Sequence, residues 1–218
     1  MSRLELNGVS FKYPRGKRMI FQDVSETFES GTLSSIEGES GAGKSTLLSL
    51  LSGLALPTRG RILMDGEPIR DLTEYRRNVA ATIAQGNHLF EGRTVLENVT
   101  YPLLLKGTDP ETAKEKALEY LAEVKLDPEL ATHFPSECSG GEQKRVAFAR
   151  AMALDNPVIL ADEPTANLDR ENSRAVADIL VSLAHTRGKL VVTATHDPLL
   201  AECADRRLIL HEGFWERK

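Results

Sequence analysis

The sequence predicts an α/β fold with a mostly parallel sheet, an antiparallel β subdomain at its N-terminal end and an inserted α-helical subdomain. Three observations predict it. Strand and helix patterns alternate over much of the chain, as they do where crossover helices cover a parallel sheet. The first third instead carries short strand patterns separated by turns containing Gly and Pro. Strand patterns then largely stop between residues 86 and 152.

In chain order, residues 3–10, 20–28 and 61–65 read as the antiparallel edge. Residues 33–37 read as a strand that enters GESGAGKST, with 46–54 as the helix behind it, and 78–85 as another strand. Within the helical block, 112–124 places Ala117, Leu118, Leu121 and Val124 at helical spacing, and 141–153 is a second helix. Residues 158–162 form a continuous apolar run, as buried parallel strands do. Residues 171–187 carry Val176, Ile179, Leu180 and Leu183 on one helical face, with Gly188 as the stop. Two further strands, 190–195 and 207–210, close the pattern. The expected division is one domain over 1–218. Its α/β core takes 1–85 and 153–218, and its helical subdomain takes 86–152.

Composition narrows the class. With 218 residues, 41% hydrophobic and 27% charged, the chain is long enough to bury a substantial core and is not broadly disordered. A net charge of −5 gives no electrostatic reason to bind nucleic acid or an anionic membrane. The two cysteines, Cys138 and Cys203, have no metal-type spacing and fit a reducing compartment. The most apolar stretch, 47–57, contains Ser49 and Ser52. It is about half the roughly twenty residues that a membrane span needs. The first residues, MSRLELNG, have no secretory apolar region. Membrane contact is therefore expected only through a partner.

The strongest chemical signal is Gly38-Glu39-Ser40-Gly41-Ala42-Gly43-Lys44-Ser45, a full GxxxxGK[ST] match between a predicted strand and a predicted helix. Glycines let backbone N–H groups converge on phosphate oxygens, and the helix N-terminus adds a favourable dipole. Lys44 supplies charge for the β- and γ-phosphates, and the Ser45 hydroxyl can ligate Mg2+. Asp162-Glu163 ends an apolar strand at the carboxyl edge of the sheet, where ligands bind in such folds. There Asp162 can hold Mg2+ and Glu163 can activate a water. Ser139-Gly140-Gly141-Glu142-Gln143 opens a helix and reads either as an anion site or as a capped loop. His196 and Gln85 each end a strand, where each is a phosphate-site candidate or an ordinary loop residue. Tyr13 lies 25 residues before Gly38 and is a base-stacking or a packing residue.

Taken together, the order aromatic, P-loop, Gln, SGGEQ, apolar-Asp-Glu, Asn-Leu-Asp and His resembles the ATP-binding subunit of an ABC transporter over essentially the whole chain. The resemblance implies a P-loop NTPase (RecA-like) core that uses ATP and Mg2+. It implies that Tyr13 stacks on adenine and that Gly38 to Thr46 form the Walker A loop. Gln85 would touch Mg2+ and the attacking water, and Ser139 to Gln143 would be the signature motif. Asp162 would hold the metal, Glu163 would be the catalytic base, Asn167-Leu168-Asp169 the D-loop and His196 the switch histidine. Two departures stand beside it: Cys138 precedes the signature where Leu is usual, and Ala161 precedes Asp162.

The resemblance further implies a second copy arranged head to tail, each ATP lying between the Walker A loop of one chain and Ser139-Gly140-Gly141 of the other. It implies separate transmembrane permease subunits docked near residues 85–99, at the cytoplasmic face of the inner membrane, and no nucleic-acid partner. Pro164-Thr165-Ala166-Asn167-Leu168-Asp169 is similar to the macrolide-exporter, lipoprotein-releasing and FtsE-like group. This favours export or mechanotransmission, with an importer ATPase subunit, or an FtsE-like ATPase that gates an envelope partner without transport, as the alternatives.

Overall fold

A computed structural model describes residues 2–14, 16, 18–211 and 214–217. Three strands begin the chain: β1 (Arg3–Phe11), β2 (Phe21–Glu29) and β3 (Thr32–Glu37), followed by helix α1 (Lys44–Leu51). Next come β4 (Arg59–Met64), β5 (Glu67–Pro68), α2 (Leu72–Asn78) and β6 (Ala80–Ile83). Helices α3 (Val95–Leu105), α4 (Pro110–Glu123) and α5 (Gly140–Ala153) fill the middle, with two short 3-10 turns between the last two. The chain then runs through β7 (Val158–Asp162), α6 (Arg170–His185), β8 (Leu190–Ala194), α7 (Pro198–Glu202), β9 (Arg206–His211) and β10 (Phe214–Arg217).

Two sheets result. One is antiparallel, in the order β2-β1-β4-β5, and is the expected N-terminal edge. The other has the order β10-β9-β3-β8-β7-β6; its strands are parallel except for β10, which returns antiparallel beside β9.

The parallel sheet is covered on both faces, and strand alternation divides the core. In β7, Val158 and Leu160 join a cluster with α1 and the antiparallel sheet, whereas Ile159 and Ala161 join one with α5 and α6. This is why β7 reads as a continuous apolar run, and β8 as one broken only by Thr193, rather than as alternating strands. Helices α3 and α4 carry no separate core. Their buried residues Val99, Leu103, Ala117 and Leu121 belong to the same cluster as Phe148, Val176 and Val191.

Several predicted bounds shift for identifiable reasons. The strand expected over 78–85 is shorter because α2 occupies 72–78, its first turn capped by the Asp71 carboxylate on the Thr73 and Glu74 amides. Helix α3 was not predicted, although Thr94 and Glu97 form a capping box that starts it. Helix α7 and strand β10 were missed because five- and four-residue elements carry too little periodicity to read.

The register fixes where the loops go. Ile36 pairs with Ala194, and Ala194 with Asp162, so β3, β8 and β7 end side by side. Ile83 pairs with Ala161, which brings the end of β6 alongside. Truncating the sheet's centre tests this frame. Leu160 is fully buried, and Leu160→Ala is expected to cost about 2–5 kcal/mol in chemical denaturation.

Candidate active site

The four aligned strand ends deliver the predicted residues to one edge. A cleft of about 660 Å³ there is lined by Tyr13, Gly38, Glu39, Ser40, Gly41, Gly43, Lys44, Ser45, Thr46, Gln85, Glu163 and His196. The Walker-type loop leaves β3 and enters α1. Gly43 caps that helix at φ 106°, where a Cβ would approach Ile20 Cγ2 to 2.9 Å, so both backbone and space require glycine. No side chain caps the first amides of α1. Lys44 is buried, and its Nζ donates to the carbonyls of Gly38 (2.8 Å) and Glu39 (3.1 Å). The ammonium thus ties the loop to its own helix and lies 3.8 Å from Glu163 Oε1.

Glu163 follows β7 at φ 45°, a strained conformation for a side chain of this size, and its amide donates to Ala194 O. That turn directs the carboxylate into the cleft, where Oε2 lies 2.8 Å from His196 Nδ1 and accepts the His196 backbone N–H at 3.3 Å. The pair Glu163 and His196 therefore acts as a unit with Lys44 on its other side. Asp162, one residue earlier, is in a different environment. Its Oδ1 is buried and has no hydrogen-bond partner among the described residues. Burial pushes its carboxyl above the usual carboxylate range; the Ser45 hydroxyl, Lys44 and Lys144 oppose this, while Glu163 adds to it. Asp162, Ser45 and Gln85 offer the oxygen donors that a hard divalent cation takes. Among the described residues no group of three or more His, Cys, Asp or Glu side chains forms a metal site of another kind.

Tyr13 is half-exposed at the mouth of the cleft, its ring edge-on to Phe11 and its hydroxyl 2.8 Å from Thr46 Oγ1. Ala42 packs against the core beside the loop.

The remaining predicted residues lie elsewhere. Ser139 is the N-cap of α5, and Ser139 and Glu142 cap each other's amides, at 3.3 and 2.7 Å. Gly140 has open space where a Cβ would stand, whereas at Gly141 a Cβ would meet Asn172 Oδ1 at 2.5 Å. Asp169 caps α6 through the Asn172 amide. Asn172 also bonds Arg145, so the SGGEQ and Asn-Leu-Asp segments are joined to each other and neither lines the P-loop cleft.

Two residues of α5, Lys144 and Arg150, were not anticipated from the sequence, and Gln143 of the SGGEQ segment has a partner the sequence did not suggest. Lys144 Nζ reaches the carbonyls of Gln85 (3.0 Å) and Ala84 (3.4 Å), Arg150 donates to the His88 and Asn87 carbonyls, and Gln143 bonds Asn87. A signal for Lys144 existed. Phe148 and Ala151, four and seven residues on, are apolar, which puts Lys144 on the buried helical face.

This geometry defines an NTPase of the P-loop class. The ABC transporter family matches residues 21–166. The chain is 40% identical over 199 residues to the ABC transporter ATP-binding protein YtrE of Bacillus subtilis, covering 89% of this chain and 86% of that one. It is 40% identical over 209 residues to the lipoprotein-releasing system ATP-binding protein LolD of Treponema denticola, covering 94% and 92%. The dimeric structure of the bacterial ABC transporter cassette MJ0796 superposes with a TM-score of 0.89 at 36% identity, covering 98% of this chain and 97% of that one. A dimeric post-hydrolysis state of the same cassette holds ADP and Pi. The chain belongs to the ABC transporter family. It is an ATP-binding cassette and an ATPase.

The environment of Asp162 generates a test. Because its folded pKa lies above the unfolded value, the ionised carboxylate lowers stability at neutral pH. That penalty disappears as pH falls below the ordinary value of 3.8, where both states are protonated. Asp162→Asn is expected to raise the Tm of the nucleotide-free protein at neutral pH, by an increment that shrinks on acidification. The same variant should lose any stabilisation by Mg2+ with nucleotide. A lower Tm at neutral pH would contradict the assignment.

Proposed function

We propose that this chain is the ATP-hydrolysing subunit of an ABC transporter of the export or mechanotransmission type. On this reading it works as a head-to-tail homodimer around two Mg-ATP and drives separate permease subunits. The observation that carries the catalytic part is the buried Glu163 carboxylate, fixed by His196 at the floor of the P-loop cleft.

Each residue then has a role its placement supports. The uncapped α1 amides and Lys44 take the phosphates, and Tyr13 stacks on the base. Ser45, Asp162 and Gln85 would hold Mg2+, which when bound neutralises charge on the phosphate oxygens. Glu163 accepts the proton of the attacking water. His196 orients that carboxylate through Nδ1 and confines it to one rotamer.

Ser139, Gly140, Gly141, Glu142 and Asp169 serve the nucleotide of the second copy. Their exclusion from this chain's own cleft supports that reading, as does the dimeric state of MJ0796. The 40% identity to LolD and the Pro164-to-Asp169 segment favour export. One domain is proposed, with 86–152 as its helical lobe and residues 85–99 as the permease-facing surface. Among the described residues no helix is long and apolar enough to cross a membrane. Attachment at the cytoplasmic face of the inner membrane would then come through the permease, with no nucleic-acid partner.

Glu163→Gln should keep ATP affinity, lower turnover by about 100-fold to 10,000-fold, and accumulate a dimer with Mg-ATP in size-exclusion chromatography. Undiminished turnover would remove Glu163 from the role of base. Lys44→Ala should weaken ATP binding at least about tenfold in equilibrium titration, the scale of one lost charge-assisted hydrogen bond. Unchanged affinity would remove Lys44 from phosphate binding.

A further inference from the structure

Among the described residues, no backbone-to-backbone bond holds residues 85–89. Side chains of α5 hold part of this segment instead: Lys144 takes the Gln85 carbonyl, while Gln143 and Arg150 secure Asn87 and His88. Lys144 is the unusual member. It is 2% exposed, and its Nζ donates to two carbonyls just past the end of β6. Burying an ammonium for two neutral acceptors is unfavourable unless a negative charge faces it. Asp162 is the carboxylate whose field it feels. Lys144 also lies two residues beyond Glu142, in the helix whose first turn carries the SGGE segment.

We infer that Lys144 is a positioning residue for hydrolysis: it fixes the main chain of Gln85 at the rim of the cleft, so that displacement of the α5 N-terminus is transmitted to Gln85. The inference rests on the proposed role of Gln85 as a ligand of Mg2+ and the attacking water. Lys144 touches no reacting atom; it sets where the Gln85 side chain starts. Loss of the ammonium leaves the two carbonyls unpaired and the segment anchored only by its far end, at Asn87 and His88. Nucleotide binding depends on Lys44 and the α1 amides, and Lys44 bonds the Gly38 and Glu39 carbonyls rather than those that Lys144 holds.

Steady-state ATPase assays of the full chain test this as a double-mutant cycle with Gln85→Ala. Lys144→Met is expected to lower kcat about tenfold, to leave KM for ATP within about twofold and to raise the Mg2+ concentration for half-maximal activity. Placed in the Gln85→Ala background it should have no further effect on kcat or on the Mg2+ requirement. If Lys144→Met does not fold, Lys144→Gln, which keeps a donor, carries the same cycle with a smaller loss. Unchanged kcat in the Lys144 variant, or a loss that adds fully to that of Gln85→Ala, overturns the inference: the first means no positioning, the second a general packing role. If Gln85→Ala alone leaves kcat and the Mg2+ requirement untouched, the role of Gln85 itself falls, and the inference falls with it.

Discussion

The parallel register of four strands is the constraint on which the site depends. Ile36, Ala194 and Asp162 stand abreast, with Ile83 alongside Ala161. The residues that leave these strands therefore start in one row, each about 4.8 Å from the next: the Gly38 loop from β3, His196 from β8, Glu163 from β7 and Gln85 from β6. None of these side chains needs a long reach, because the ladder has already brought the chain there. A slip of one residue in β7 would exchange the faces of Asp162 and Glu163 and place Ile159 and Leu160 in each other's cores. The buried apolar clusters on the two sides of the sheet are thus what hold the Glu163 carboxylate in place.

Helix capping then separates the site that a phosphate can use within the chain from those it cannot. Helices α2, α4, α6 and α7 begin with an aspartate, α3 with a threonine and α5 with a serine, each accepting a backbone amide of the first turn. Helix α1 begins with Gly43 and has no side-chain cap. Its first amides have no intrahelical acceptor, and the dipole at that end favours an anion. Among the described residues the sequence thus supplies a side-chain cap at six helix starts and leaves the donors free for a ligand at the seventh, beside Lys44.

Much of this was legible in the sequence, for reasons that differ by element. The P-loop was readable because glycine at positions 41 and 43 answers a local backbone demand. The strands of the parallel sheet were readable because both of their faces are covered, which leaves β7 apolar up to Asp162 and β8 apolar but for the buried Thr193. Asp162 and Glu163 were readable because they stand where such a strand must end. Helix α3 was not read, although Thr94 and Glu97 carried its start signal, because the expectation for that region rested on apolar spacing alone. The tie between Lys144 and Gln85 was harder still. A lysine beside an arginine in a helix reads as a solvated pair, and only its phase against Phe148 and Ala151 places it inside. Long-range partners of this kind depend on how α5 docks on β6, which no local pattern encodes.

Asp162 and Glu163 show how adjacent residues of the same chemistry come to differ. Both are acidic, and both lie at the end of one strand. Asp162 is still within β7, so its carboxylate stays against the sheet, where burial raises its pKa and one oxygen finds no partner among the described residues. Glu163 lies one step beyond, at positive φ, and its carboxylate swings into the cleft between His196 and Lys44. A group that is costly to ionise and short of partners suits a cation. One that is paired, oriented and open to the cleft suits proton transfer. The difference is made by a single backbone torsion, and the amide of Glu163 bonded to Ala194 O holds that torsion in place. The division of labour between the two carboxylates is therefore a property of the pairing between β7 and β8, and altering that pairing would disturb both roles together.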